Sequence, residues 1–230
     1  MTHDQHANVS WNERVNEWEE VAASPAFQRL ADNILEHASP TLADRVVDIG
    51  AGTGLLTLRV APLVRDVLAI DAAPAMVERV IAIGKREGLE NISGAVADLR
   101  ELGLPDGSRT LAISNYAYHH VDHEDKRVAL QDLYRVLAPG GRVVICDMMF
   151  AVSLRPRDRR IIWDKVKLIS KRGPAGVLRV LKNAGKIATG TWEHPERPEA
   201  WEQLLTEIGF VEVASYELTN ESGLVTARRP

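Results

Sequence analysis

Apolar residues in this chain fall into short runs separated by polar turns, and the runs alternate between two periods. Arg45–Ile49, Val67–Ile70, Ile92–Val96, Arg109–Ser114 and Arg142–Met149 are short and rich in β-branched residues, which predicts five strands. Between them, helical spacing runs from Leu55 to Leu63, from Pro74 to the Gly88 that closes it, and from the capping residue Asp122 to Ala138. Pro139-Gly140-Gly141 then reads as a turn. At the N-terminus, Ser10 and Glu13 have capping-box spacing, and Trp11, Val15 and Trp18 share one face of a helix reaching Val21. Ser24-Pro25 opens a second helix to about His37, and Pro40 ends that unit. A helix over Glu199–Ile208 and a hairpin of Val211–Leu218 with Leu224–Arg228 close the chain.

Strands alternating with helices predict an α/β fold, a doubly wound, mainly parallel sheet of seven strands with helices on both faces. The expected core is 41–150 together with 199–230, with helical caps over 1–40 and 151–198. Ligands of such sheets sit beyond the C-terminal strand ends. That draws attention to loops 50–54, 71–76, 98–99 and 115–123.

The first of these loops carries three glycines at alternate positions, Gly50, Gly52 and Gly54. Such a loop turns tightly and lets a ligand approach the backbone, while the following helix aims free N–H groups at an anion. Chemistry alone allows a nucleotide, a dinucleotide or an amino-acid carboxylate. The spacing is not the G-x-G-x-x-G of dinucleotide sites, and no Tyr-x-x-x-Lys pair is evident, which sets a nicotinamide enzyme aside. Val46-Val47-Asp48-Ile49-Gly50-Ala51-Gly52-Thr53-Gly54 resembles motif I of the class I S-adenosylmethionine-dependent methyltransferases, of the quinone-type and antibiotic-tailoring kind. The resemblance extends over about residues 40–150 and implies a Rossmann-like methyltransferase fold with S-adenosylmethionine as cofactor and S-adenosylhomocysteine as product. It implies that Asp71 binds the ribose hydroxyls, and that Asp98 and Leu99 lie near adenine with Met76 on its face. Asn115 matches the position whose carbonyl meets the amino group, and Asp48 is expected to tie down the loop and orient that group. Leu137-Ala138-Pro139-Gly140-Gly141 resembles the family's turn before strand five.

The loop after strand four, Asn115-Tyr116-Ala117-Tyr118-His119-His120-Val121-Asp122-His123, is expected to face the methyl group. His119 and His120 are candidate bases because imidazole titrates near neutrality, and Tyr116 is a third candidate catalytic side chain. The bland alternative makes one histidine a packed side chain and leaves the other exposed. Asn115-Tyr116-Ala117-Tyr118 resembles the Asn-Pro-Pro-Tyr motif of adenine and glutamine N-methyltransferases, but both prolines that would stiffen the loop are missing. A metal at His119 and His123 is not assigned, because Asp122 is better used as a helix cap.

Composition adds less. Cys146 is the single cysteine, which excludes an internal disulfide. No apolar run approaches a membrane span, residues 1–10 carry no apolar leader, and a cytoplasmic enzyme is the expectation. Charge changes the picture more. Residues 155–186 hold 11 Lys or Arg against Asp158 and Asp164, a net of +9; the whole chain is −4, so the remainder is −13. This segment reads as a lid with a solvated face, as an attractor for an anionic acceptor, or as a basic amphipathic helix with Trp163 for peripheral membrane contact. The expected function is methyl transfer to a small anionic or apolar acceptor at O, N, S or C. The alternatives are an RNA methyltransferase using 155–186, for which no RNA-binding module is recognisable, and a cofactor-binding module without catalysis.

Overall fold

The computed structural model describes residues 11–171, 173, 178, 182, 185 and 193–230. The Ser10 half of the expected capping box and most of 177–187 lie outside the described residues. In chain order the elements are α1 (Val15–Ala23), α2 (Pro25–Ala38), β1 (Arg45–Ile49), α3 (Leu55–Val60), β2 (Asp66–Asp71), α4 (Pro74–Arg86), β3 (Ile92–Val96) and β4 (Arg109–Asn115). They continue as α5 (His123–Val136), β5 (Leu137–Met148), α6 (Pro156–Ser170), α7 (Pro198–Ile208), β6 (Val211–Glu217) and β7 (Ser222–Arg228).

The seven strands form one sheet in the order β3-β2-β1-β4-β5-β7-β6. β1 through β5 pair in parallel, and β7 runs antiparallel to both β5 and β6. Because side chains alternate across a strand, consecutive residues feed opposite cores. Val47, Leu68 and Ala112 join Leu130, Leu133, Trp201 and Leu205 of α5 and α7 on one face. Val46, Val67 and Leu111 join Leu30, Ile34, Leu56 and Val60 of α2 and α3 on the other. Fully burying each Val or Leu contributes about 1.5–3 kcal/mol, so both faces must be covered.

Local chemistry sets the helix starts. Ser24 Oγ accepts from Phe27 N at 3.4 Å with Pro25 in the first turn, and the Asp122 carboxylate accepts from Asp125 N at 2.9 Å. Three expected boundaries move. Trp11 and Asn12 are helical, Glu13 and Arg14 interrupt them as a turn, and the next helix runs Val15–Ala23. The helix capped by Asp122 ends at Val136 rather than Ala138, because Leu137 already pairs with Arg109. The Pro139-Gly140-Gly141 turn is a bulge inside β5: the next matched pair is Leu111 with Arg142, and Gly140 takes φ 77°. Both ends of 151–198 are stapled by the buried Asp158, whose carboxylate accepts from Ser153 Oγ at 2.6 Å and from Arg197 Nη2 at 3.0 Å.

Candidate functional site

A cavity of about 640 Å³ opens at the C-terminal edge of β1, β2 and β4, where the sheet order places their ends side by side. At one end its walls are backbone and carboxylates. Gly50 and Gly52 have φ 69° and 53°, a region costly for any residue with a Cβ. A Cβ on Gly50 would collide with that of Ala117, whereas one on Gly52 would meet nothing within 4 Å. Gly50 therefore lets the loop lie against the β4 loop, and the space beside Gly52 is cavity. Gly54, at φ 95°, is absent from the wall and lets α3 approach Val80 instead.

Asp71 ends β2 and accepts from Gly52 N and Ala73 N, both at 2.9 Å. Its burial raises its pKa against those two hydrogen bonds. A carboxylate has about four acceptor positions, so Asp71 retains capacity toward the cavity. Asp48 is buried under the loop and accepts from Thr57 Oγ1 at 2.6 Å; burial, with Asp71 nearby, pushes its pKa up to about 7. Asp98 accepts from Arg100 Nε at 2.8 Å and Nη2 at 2.7 Å, a pairing that lowers its pKa. Arg100 also reaches Asp125 at 3.0 Å. Met76 and Leu99 add apolar wall, and the Oδ1 of Asn115 is buried with no partner among the described residues.

The other end is built of rings. Trp11 lies 4.9 Å from His120 and 5.8 Å from Trp18, centroid to centroid. Trp18 lies 6.3 Å from Phe27, and Phe27 lies 5.1 Å from Tyr116. Tyr116 meets His119 at 5.6 Å, and His119 meets His120 at 4.0 Å, which closes the circuit. The spacings from 4.9 to 6.3 Å suit tilted or edge contacts between aromatic quadrupoles. Tyr116 takes φ 60°, and its hydroxyl is bonded to Ser222 Oγ at 2.7 Å, while burial raises its pKa. The indole Nε1 of Trp18 is buried without a partner among the described residues.

The adjacent histidines part company. His119 is 3% exposed and does not line the cavity. Its Nδ1 bonds Asp147 Oδ1 at 2.6 Å, and Asp147 Oδ2 accepts from the backbone of Tyr118 and His119 at 2.8 and 3.1 Å. Burial depresses the His119 pKa, but the charge and hydrogen bond of Asp147 outweigh it and the net shift is upward. Burial likewise opposes Asp147's ionisation, yet His119 brings its pKa below the ordinary value. His120 is open to the cavity; loss of hydration, reinforced by His119, lowers its pKa to about 3. It is a neutral ring near pH 7.

Of the residues singled out from the sequence, Asp48, Gly50, Gly52, Asp71, Met76, Asp98, Leu99, Asn115, Tyr116 and His120 line this one cavity. His119, expected to face the methyl group, stands behind the wall. Sequence reasoning missed Asp147, His194 and Lys126. His194 lines the cavity and its N–H donates to His119 O at 2.7 Å. The ammonium of the fully buried Lys126 donates to Val121 O at 2.9 Å, His194 O at 2.6 Å and Glu196 at 3.1 Å. The basic residues of α6, read as a lid, contribute nothing to this wall among the described residues: α6 packs Ile161 on Met148 and Phe150, with Tyr116 against the same cluster.

Known proteins resemble the chain most clearly over the part that carries the cavity's glycine loop. Residues 46–141 match the model of a methyltransferase domain. A malonyl-[acyl-carrier protein] O-methyltransferase of Halorhodospira halophila is 38% identical over 140 residues, covering 59% of this chain and 45% of that protein. A demethylmenaquinone methyltransferase of Clavibacter sepedonicus is 29% identical over 198 residues, 83% of this chain and 74% of that one. The chain spans about half the length of the first curated relatives it matches. Among solved structures, DhpI in complex with S-adenosylhomocysteine superposes with a TM-score of 0.69 at 18% identity, over 100% of this chain and 98% of that one, a likeness of fold.

Proposed function

We propose that the chain is a class I S-adenosylmethionine-dependent methyltransferase and that it transfers the methyl group of that cofactor to a small acceptor with a flat, largely apolar body, a reading supported by the methyltransferase-domain match and the methyltransferase relatives. The observation that carries this reading is the single cavity joining the glycine loop to the aromatic circuit.

The residues fit the cofactor. The space beside Gly52 and the acceptor capacity left on Asp71 meet in one volume, which Asn115 also lines. Asp71 would take the ribose hydroxyls and Asp98 the exocyclic amine, with Met76 and Leu99 against the ring. Gly50, Asn115 and Asp48 would surround the amino-acid end. Bound there, S-adenosylmethionine supplies an electrophilic methyl group on a positively charged sulfur.

What the chain contributes is alignment. Trp11, Trp18, Phe27, Tyr116 and His120 exclude water and seat the acceptor against the methyl-bearing end, and alignment of that kind is worth as much as about 7–11 kcal/mol. Neither histidine is suited to take a proton. His119 is bound to Asp147 behind the wall, and loss of hydration and the neighbouring His119 lower the basicity of His120. We assign His119 a positioning role and His120 a place in the acceptor wall. An RNA acceptor is disfavoured because the basic face of α6 lies outside the cavity wall.

The test is a turnover screen that follows S-adenosylhomocysteine release across planar apolar, aliphatic and polyanionic acceptors, beside calorimetry with S-adenosylhomocysteine. Saturable cofactor binding and turnover confined to planar apolar acceptors are expected. Preferential binding of a nicotinamide dinucleotide, or turnover confined to polyanions, overturns the reading.

A further inference from the structure

We propose that the outward face of α6 is a docking surface for an anionic lipid bilayer. This goes beyond the methyl-transfer reading and does not depend on it. The apolar side of α6 is consumed by the fold, with Ile161 buried on Met148 and Phe150. What remains outside is a stripe at helical spacing: Arg159 and Arg160, then Trp163, Lys167 and Lys171, all exposed, with Asp164 the acid among them. Arg155 stands at the head of the stripe, 3.5 Å from Glu199.

An ordinary solvated face would be charged throughout, but this one is not. Trp163 is 59% exposed, and in the loop leading into the helix Leu154 is 88% exposed and Val152 53%. A shallow recess on the same face is lined by Pro156, Arg159, Arg160, Ile162 and Trp163. Two guanidinium groups beside aliphatic carbon and an indole suit a phosphate that is itself attached to an apolar body. Guanidinium binds phosphate oxygens in its planar fork, and an indole settles at the boundary between headgroup and acyl chain. A nucleic acid would use the cations but would leave Leu154 and Val152 in water.

Charge complementarity points the same way. On this face the exposed Arg155, Arg159, Arg160, Lys167 and Lys171 are set against Asp164, whereas the chain as a whole carries −4. An anionic surface therefore attracts this face and repels the body, over roughly the 8 Å reach of electrostatics at physiological salt. Docking by this face alone is the expected geometry. The same helix buttresses Tyr116 of the cavity wall, so a docked molecule would hold its aromatic end close to the bilayer.

The experiment is co-sedimentation of the full chain with vesicles of phosphatidylcholine alone and with about a third phosphatidylglycerol, at low and high salt. Binding to the anionic vesicles only, weakened by salt, is expected. Arg159→Glu with Arg160→Glu should lower partitioning by roughly tenfold or more, since each basic residue near such a surface contributes severalfold. Trp163→Ser should lower it less. Both variants should bind S-adenosylhomocysteine as the native chain does, which separates loss of docking from loss of folding. Equal binding to neutral vesicles, no binding to either, native partitioning of the charge-reversed variant, or binding of a short RNA in place of vesicles each overturns the proposal.

Discussion

At the glycine end of the cavity the walls are backbone and carboxylate, and neighbouring parallel strands hold them. At the other end the walls are rings, and they come from places far apart in the chain. β1, β2 and β4 deliver Asp48, Asp71 and Asn115 to one edge because the sheet order leaves those strands adjacent. Trp11, Trp18 and Phe27 arrive on three helical segments, and meet Tyr116 and His120 only through ring contacts. α1 has no buried residue. It is tied to α4 by an Arg79–Glu19 pair at 2.5 Å, and the segment before it by Ala75 N donating to Asn12 Oδ1 at 3.0 Å. Exposed pairs of this kind contribute little, and regions with few buried contacts open first. With the cofactor at the glycine end, as proposed, a more easily opened aromatic end suits an order in which the acceptor enters there.

The largest way to break this comparison is at Gly50. A valine there must accept φ 69° and find room against Ala117, and strain and overpacking cost about 1–3 kcal/mol each. Gly50→Val should abolish measurable S-adenosylhomocysteine binding and lower the melting temperature. Gly52→Ala, with open space at its Cβ, should keep the fold while weakening the cofactor. Equal damage from both, or from neither, would show that the loop is not shaped by Ala117.

Behind the aromatic end lies the His119–Asp147 pair, and breaking it comes next. Removing one partner of a buried ion pair costs about 3–5 kcal/mol, so Asp147→Asn should be the most destabilising polar change of those argued here. Its pH dependence follows from the shifts. His119 is raised above its ordinary 6.5, so its contribution is whole below that value and fades as pH rises through the folded pKa. Asp147 is lowered below 3.8, so its contribution holds above that value and fades as pH falls through the folded pKa. The gap in thermal stability between native and variant should therefore be widest between about pH 4 and 6.5 and narrow on either side. A folded His119→Asn protein should keep the native shape of its pH–rate profile. A shift of that profile would restore His119 as a base.

Asp71→Ala sharpens the contrast from the cofactor end. Losing a charged hydrogen-bond partner costs about 1.5–3 kcal/mol, so S-adenosylhomocysteine should bind roughly 10- to 100-fold more weakly, with the acceptor's Michaelis constant little changed.

The same contrast explains what could be read from the residues in advance. The glycine loop, Asp71 and Asp98-Leu99 were legible because each is a local signal at a strand end, and parallel-sheet topology does the gathering. The aromatic circuit was not. Trp11 and Trp18 were visible on one helix face of a cap, but closing the ring with Phe27, Tyr116 and His120 depends on how α1 and α2 cross the sheet edge. Adjacent histidines also defeat position-based reasoning, since one peptide step separates a side chain on Asp147 from one in the cavity. Lys126 reads as a surface residue of an amphipathic helix, because a buried lysine is rare unless paired. Its partners, at residues 194 and 196, lie 68 and 70 positions away. Asp147 did leave a trace, as an acid following the apolar run Val143-Val144-Ile145-Cys146.

The smallest effect tests the aromatic end most directly. Trp18 Nε1 is a buried donor with no partner among the described residues, in the cavity wall. Leaving such a group unpaired costs about 1–3 kcal/mol, and an acceptor molecule whose seating turns the indole N–H toward an oxygen or nitrogen lone pair recovers that cost. Trp18→Phe removes the N–H and keeps a ring to meet Trp11 and Phe27. The variant should melt at or slightly above the native temperature, since an unsatisfied donor is gone, and should bind S-adenosylhomocysteine normally. With the true acceptor its Michaelis constant should rise about 3- to 10-fold at unchanged turnover, the size of one neutral hydrogen bond. An unchanged Michaelis constant would make the circuit a purely apolar container. A fall in cofactor affinity would be more damaging, because it would mean that the two ends are not separately built.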